Sequence, residues 1–159
     1  MLDKKYSEPQ AINSVAQFHD TFGLPIEQDP LIPDMKRAEL RINLLEEELQ
    51  ELKDAIKAND LVEVADALCD LQYVLSGAIL EFGLGDKFKS LFDEVQRSNM
   101  SKTCRNKEVA LATQKHYLDK DGTTSEVMTK DDCLIVYRKS DGKVLKSVEY
   151  SPANLKTLM

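Results

Sequence analysis

Carboxylates crowd two neighbouring stretches of this chain. The first is Glu46-Glu47-Glu48-Leu49-Gln50-Glu51. The second is Glu63-Val64-Ala65-Asp66-Ala67-Leu68-Cys69-Asp70, set in a segment otherwise almost wholly apolar. At 100° per residue, Glu63, Asp66 and Asp70 fall within an arc of roughly 60° on one helix face. A helix from Leu61 to Phe82 carries apolar residues on nearly every side, the pattern of a buried helix. Acids on one stripe of such a helix repel each other and are costly unless compensated. No Lys or Arg lies between Asp60 and Asp86 to do so locally. A divalent cation would resolve the conflict. Oxygen-only ligands suit a hard cation, and Mg²⁺ is the default because it also pairs with substrate phosphates; Mn²⁺ is a possible substitute.

The first acidic run is less specific, because most Glu runs are solvated helix faces. Glu48 and Glu51 lie one turn apart beside the apolar stripe of their helix, Glu47 sits at the edge of the acidic face, and Glu46 points elsewhere. A structural alternative pairs the acids with distant Arg37, Arg41 or Arg97, which would turn the stripe into an ion-pair network.

Four helices must position these groups. Ile12, Val15, Phe18 and Phe22 have helical spacing over Ala11 to Phe22, closed by Gly23-Leu24-Pro25 and a Pro-rich loop from Gln28 to Pro33. Asp34 caps a second helix running to about Ala58, striped by Leu45, Leu49, Leu52 and Ile56. Asp60 caps the third, which ends at Gly83-Leu84-Gly85. Asp86 is expected to cap the fourth, whose inner face is Phe88, Leu91, Phe92 and Val95 and which ends near Asn99. After Ser101 the character changes. Glu108 to Leu118 reads as a short helix, and Ser125–Thr129, Cys133–Arg138 and Lys143–Tyr150 as strands, with Ser140-Asp141-Gly142 a hairpin signal between the last two. The expected fold is mainly α. A four-helix bundle domain over 1–102 carries a 103–159 extension, a helix plus a small antiparallel β-meander too small to fold alone.

Composition excludes several classes. A formal net charge of -7 argues against non-specific nucleic-acid binding. Cys69, Cys104 and Cys133 contain no CxxC pair, so neither a zinc site nor a disulfide framework is expected. No signal peptide or long apolar span appears, so the chain reads as cytoplasmic, reduced and independent of membranes. No Gly-rich phosphate loop or Ser-His-Asp order is present, which disfavours a side-chain nucleophile.

Glu47-Glu48-Leu49-Gln50-Glu51 resembles the EExxE element of the MazG-like, all-α nucleoside triphosphate pyrophosphohydrolases, and Glu63-Val64-Ala65-Asp66 resembles their ExxD element. That superfamily includes phosphoribosyl-ATP pyrophosphatase and the dimeric dUTPases. Asp66-Ala67-Leu68-Cys69-Asp70-Leu71-Gln72-Tyr73-Val74 is similar to a subgroup with an extra Asp one turn onward, so either Asp66 or Asp70 is the decisive ligand. Arg97-Ser98-Asn99-Met100-Ser101-Lys102 and the tail from Gly142 to Pro152 also resemble that subgroup, whereas Cys104 to Asp132 match less clearly.

The resemblance implies Mg²⁺-dependent cleavage of a (d)NTP to the monophosphate and pyrophosphate in nucleotide-pool house-cleaning, with dUTP one candidate substrate. Glu48, Glu51, Glu63, Asp66 and Asp70 would hold the metal, and Glu47 would activate water. Arg97, Asn99 and Lys102 would steady phosphate oxygens, unless they serve only as a helix C-cap with dipole-compensating cations. His19 is a weak candidate for a base contact, a satisfied histidine at a core edge being the commoner role. The family also implies a homodimer or tetramer. Two rivals stand beside this reading: phosphoribosyl-ATP pyrophosphatase with the same metal chemistry, and a non-catalytic helical dimerisation module whose acids only solubilise it.

Overall fold

A computed structural model describes residues 4–159. Among them the protein is mainly helical, with five α-helices and one small antiparallel sheet near the C-terminus, the fold class expected. No single helix among the described residues is long and apolar enough to cross a membrane. The chain divides into compact units at Phe88/Lys89, whereas the sequence suggested a boundary after residue 102. The fourth helix is accordingly grouped with the C-terminal segments.

The first unit, Lys4–Phe88, is built on α1 (Ala11–Phe22), α2 (Met35–Ala58) and α3 (Leu61–Glu81). Both α1 and α2 pack against α3. The breaks follow local chemistry. Asp34 accepts the Arg37 amide at 3.1 Å, and Asp60 accepts those of Val62 and Glu63 at 3.0 and 3.2 Å, satisfying amides that have no partner inside their helices. Asn59 takes the left-handed conformation between them, with φ 55°. After α3 the chain turns at Gly83, where φ is +65° and a Cβ would lie 1.9 Å from the Asp29 carbonyl oxygen. Only glycine lets the Pro-rich loop cross here, held by bonds from the amides of Glu27 to Leu80 and of Leu31 to Phe82.

The expectation that α3 is buried all round is corrected by the structure. Its second half is enclosed, with Ser76, Gly77, Ile79, Leu80 and Glu81 all buried, but Leu61 and Val62 near its start are 80% and 76% exposed. Two flanking helices cover only part of a third helix's circumference, so the remaining apolar surface faces outward.

The second unit holds α4 (Phe88–Met100, from Lys89 onward), α5 (Lys107–Asp121), β1 (Ser125–Lys130) and β2 (Cys133–Arg138). Asp86 does not cap α4, because it lies inside a 3-10 turn, Gly85–Lys87, that leads into that helix. Asn106 caps α5, which runs three residues past its expected end to Asp121, with Gly122 as its left-handed cap. The strands pair antiparallel with Val127 opposite Val136, and Val136 packs with Cys104, Val109, Ala110 and Leu145 in the unit's core. The third strand, expected over Lys143–Tyr150, does not form. Tyr137 and Val144 make a single bridge, and the chain then departs. Its amides find side chains instead: Val148 donates to Thr113 Oγ1 at 3.1 Å and Glu149 to Ser147 Oγ at 3.1 Å.

Candidate active site

The two acidic runs meet on one side of the first unit. Glu51 from α2 and Glu63 and Asp66 from α3 line a cleft of about 500 Å³ with Asp54, Asp60 and small alanines. Asp70 and Glu48 are half-buried and stand near the same helix seam. Burial pushes the Glu48 carboxyl above its ordinary value, and the charges of Asp70, Glu51, Glu47 and Asp66 push it the same way. Glu48 therefore senses acids on both helices, which the linear pattern alone did not require.

Two further acids in the cleft are already compensated. Asp54 accepts from Gln50 Nε2 and Lys57 Nζ, each at 2.8 Å, and Asp60 is committed to its capping bonds. By contrast, among the described residues Glu47, Glu48, Glu51, Glu63, Asp66 and Asp70 take part in no ion pair with Lys, Arg or His. The arginines that might have neutralised them are spent elsewhere. Arg37 and Arg41 both bind the carboxylate of Glu81, itself 1% exposed, and Arg97 pairs with Glu94. The ion-pair alternative therefore fails, for a geometric reason: Glu81 lies at the far end of α3 from Glu63, and the guanidinium groups meet it there.

This buried group was not foreseen in the sequence. Burial alone would raise the Glu81 carboxyl, but hydrogen bonds and charge from Arg41 and Arg37 outweigh it and hold the group below its ordinary value. His19 belongs to the same assembly. Its Nδ1 lies 2.8 Å from the Pro25 carbonyl, which can only accept, so Nδ1 carries the proton and Nε2 faces Arg41 Nη2 at 3.4 Å. At 1% exposure the ring has no free edge to offer a base, so its role is the core-satisfied one. A signal for this cluster existed: Glu81 is the lone acid in an apolar run from Leu71 to Leu84.

Arg97, Asn99 and Lys102 stand in the second unit, near the end of α4. Arg97 binds both Glu94 oxygens at 2.7 and 2.8 Å and also reaches Ser151 Oγ and the Pro152 carbonyl at 3.0 and 3.1 Å. Lys102 Nζ donates to Asn99 Oδ1 at 2.7 Å. Within this unit Arg97 is thus a clasp for the C-terminal tail, assisted by the Ser98–Tyr150 hydroxyl pair at 2.9 Å.

The acidic cleft offers oxygen donors of the kind a hard divalent cation takes. Its side-chain donors are all carboxylate oxygens, and Glu48 beside it is raised by burial first and by the neighbouring acids second. Among the described residues no three His, Cys, Asp or Glu side chains are gathered closely enough to hold a metal ion by themselves. A cation there would have to take most of its ligands from water or phosphate oxygens.

A helical unit with paired acidic motifs on adjoining helices defines the MazG-like, all-α class of nucleoside triphosphate pyrophosphohydrolases. Residues 15–99 match phosphoribosyl-ATP pyrophosphohydrolase, and the chain belongs to that family. It is also 32% identical over 100 residues to an uncharacterised protein of Acanthamoeba polyphaga mimivirus, a match covering 60% of this chain and 40% of the viral protein. The chain thus spans well under half the length of that curated relative.

Proposed function

We propose that the protein hydrolyses a nucleoside triphosphate, with (d)NTPs of the cellular pool the substrate class, to the monophosphate and pyrophosphate with Mg²⁺ as cofactor. One observation carries this reading: carboxylates from α2 and α3 share a cleft and a mutual field, while the nearby arginines are committed to Glu81. A solubilising acidic face has no need of such convergence, which weighs against the adaptor alternative.

Glu48, Glu51, Glu63, Asp66 and Asp70 would hold Mg²⁺. Bound there, the ion would screen the triphosphate and stabilise charge developing on its oxygens. Glu47, exposed on α2, would accept a proton from the water that attacks the α-phosphorus, and the β,γ-pyrophosphate would leave. Arg97, Asn99 and Lys102 stay candidates for phosphate contacts on the sequence resemblance alone. A second copy of the chain is the proposed cover for Leu49 and Ile56 of α2 and Leu61, Val62 and Leu68 of α3, all exposed apolar residues.

The family name favours a second reading for the same cleft, hydrolysis of phosphoribosyl-ATP, whose triphosphate presents the same bond. A screen of NTPs, dNTPs and phosphoribosyl-ATP for products separates the two. Either substrate should yield monophosphate and pyrophosphate in equal amounts, only with Mg²⁺ or Mn²⁺ present. Orthophosphate with a diphosphate product would mean attack at the γ-phosphorus and would overturn the mechanism.

A further inference from the structure

The second unit carries a sheet edge whose sequence is complementary to itself. In the hairpin, Lys130 and Cys133 close the turn, with Met128 opposite Ile135 and Glu126 opposite Tyr137. Alternation of an antiparallel ladder then directs the amides and carbonyls of residues 126, 128 and 130 toward β2, and those of 125, 127 and 129 outward. Ser125 already spends its carbonyl on Gln114 Nε2, at 2.8 Å. The other edge of β2 is occupied, by Cys104 at Leu134 and by Val144 at Tyr137. Among the described residues, Val127 and Thr129 therefore present the open backbone groups of the sheet.

Side chains on β1 divide by face. Val127 lies on the core side, opposite buried Val136, so Glu126, Met128 and Lys130 share the outer side. Met128 is 51% exposed. Glu126 and Lys130 are placed symmetrically about it and carry opposite charges. A second β1 laid antiparallel, with Met128 opposite Met128, sets Glu126 against Lys130 at both ends. The same register brings Val127 of each copy opposite Thr129 of the other, the pairing that their outward backbone groups demand. Shifting by two residues keeps the hydrogen bonds and loses both charge pairs. Parallel in-register pairing sets like charge beside like charge.

We propose that β1 is a two-fold seam at which a second copy of this chain extends the hairpin into a continuous sheet. The strand's charges, often a device that keeps edges apart, here select one closed register over open-ended stacking. The seam is independent of the catalytic reading and of the helical faces described above.

The test is the mass of the full-length protein by light scattering coupled to size-exclusion chromatography. Lys130→Glu and, separately, Glu126→Lys should each halve the assembled mass at micromolar concentration, while far-UV circular dichroism stays that of the parent. Combining the two substitutions exchanges the partners and should restore the original mass. In a Cys69→Ser, Cys133→Ser background, Met128→Cys should form a disulfide dimer under mild oxidation, because residues facing across a non-hydrogen-bonded pair lie within disulfide reach. Unchanged masses in both reversals with no cross-link at residue 128 would overturn the seam. Halving without restoration in the double variant would overturn this register.

Discussion

The Cβ that Gly77 lacks would stand 2.7 Å from Nη1 of Arg41 and 3.1 Å from Nε2 of His19. Gly77 is thus the opening in α3 through which a guanidinium from α2 reaches Glu81. A methyl group there has to displace a buried charged group that is tied to its neighbours. Gly77→Ala should destabilise the protein by about 1–3 kcal/mol, the usual cost of overpacking, despite alanine's better helix propensity. Thermal melting checks this; an unchanged or higher midpoint would show that the assembly yields freely.

Removing the carboxylate tests the same assembly from the other side. Glu81→Ala leaves the Arg37 and Arg41 charges without their shared partner and should cost about 3–5 kcal/mol in urea unfolding. The acid dependence has a definite sign. Because Glu81 is held below its ordinary value when folded, its ionised form contributes stability above the unfolded carboxyl range, and that contribution disappears as pH falls through the folded value. Glu81→Gln should therefore flatten part of the decline seen in wild-type stability below about pH 5.

Glu48 has the opposite sign. Its raised carboxyl means that ionisation opposes folding, so protonating it on acidification relieves strain, and a bound cation would do the same at neutral pH. Millimolar Mg²⁺ or Mn²⁺ should raise the melting temperature, by about 2.7 kcal/mol of added stability at a hundred times Kd, with EDTA reversing it. Isothermal titration that detects no binding of either ion would refute the metal site.

Neutral isosteres divide ligands from bystanders. Glu51→Gln, Asp66→Asn and Asp70→Asn should each lower turnover by about a hundredfold or more while leaving apo stability equal or higher, since like-charge repulsion falls. Glu46→Gln, exposed on the same helix, should leave turnover within about twofold. The larger loss between Asp66→Asn and Asp70→Asn identifies the direct ligand, because a carboxylate acting through another group typically costs less. Wild-type turnover in all three acidic variants would make the cleft structural.

Local features of this fold were legible in the linear order. Asp34 and Asp60 cap where expected, Ala11–Phe22 is a helix over its whole expected span, and Ser125 and Cys133 begin strands, because capping and periodicity depend on residues within a turn of one another. The acidic motifs were legible for the same reason, since residue type and helical spacing place several carboxylates on one stripe. What spacing cannot encode is the choice of partner across elements. Three arginines were available to the acids; packing of α2 on α3 carried Arg37 and Arg41 to Glu81 instead and, among the described residues, left Glu51, Glu63 and Asp66 without an ion-pair partner. The segment after Gly142 has strand-like alternation, yet Thr113 and the end of α4 competed for its backbone and side chains and won. Helix α3 has an apolar composition on all sides, but how many sides are covered depends on how many neighbours arrive, a property of the tertiary structure alone.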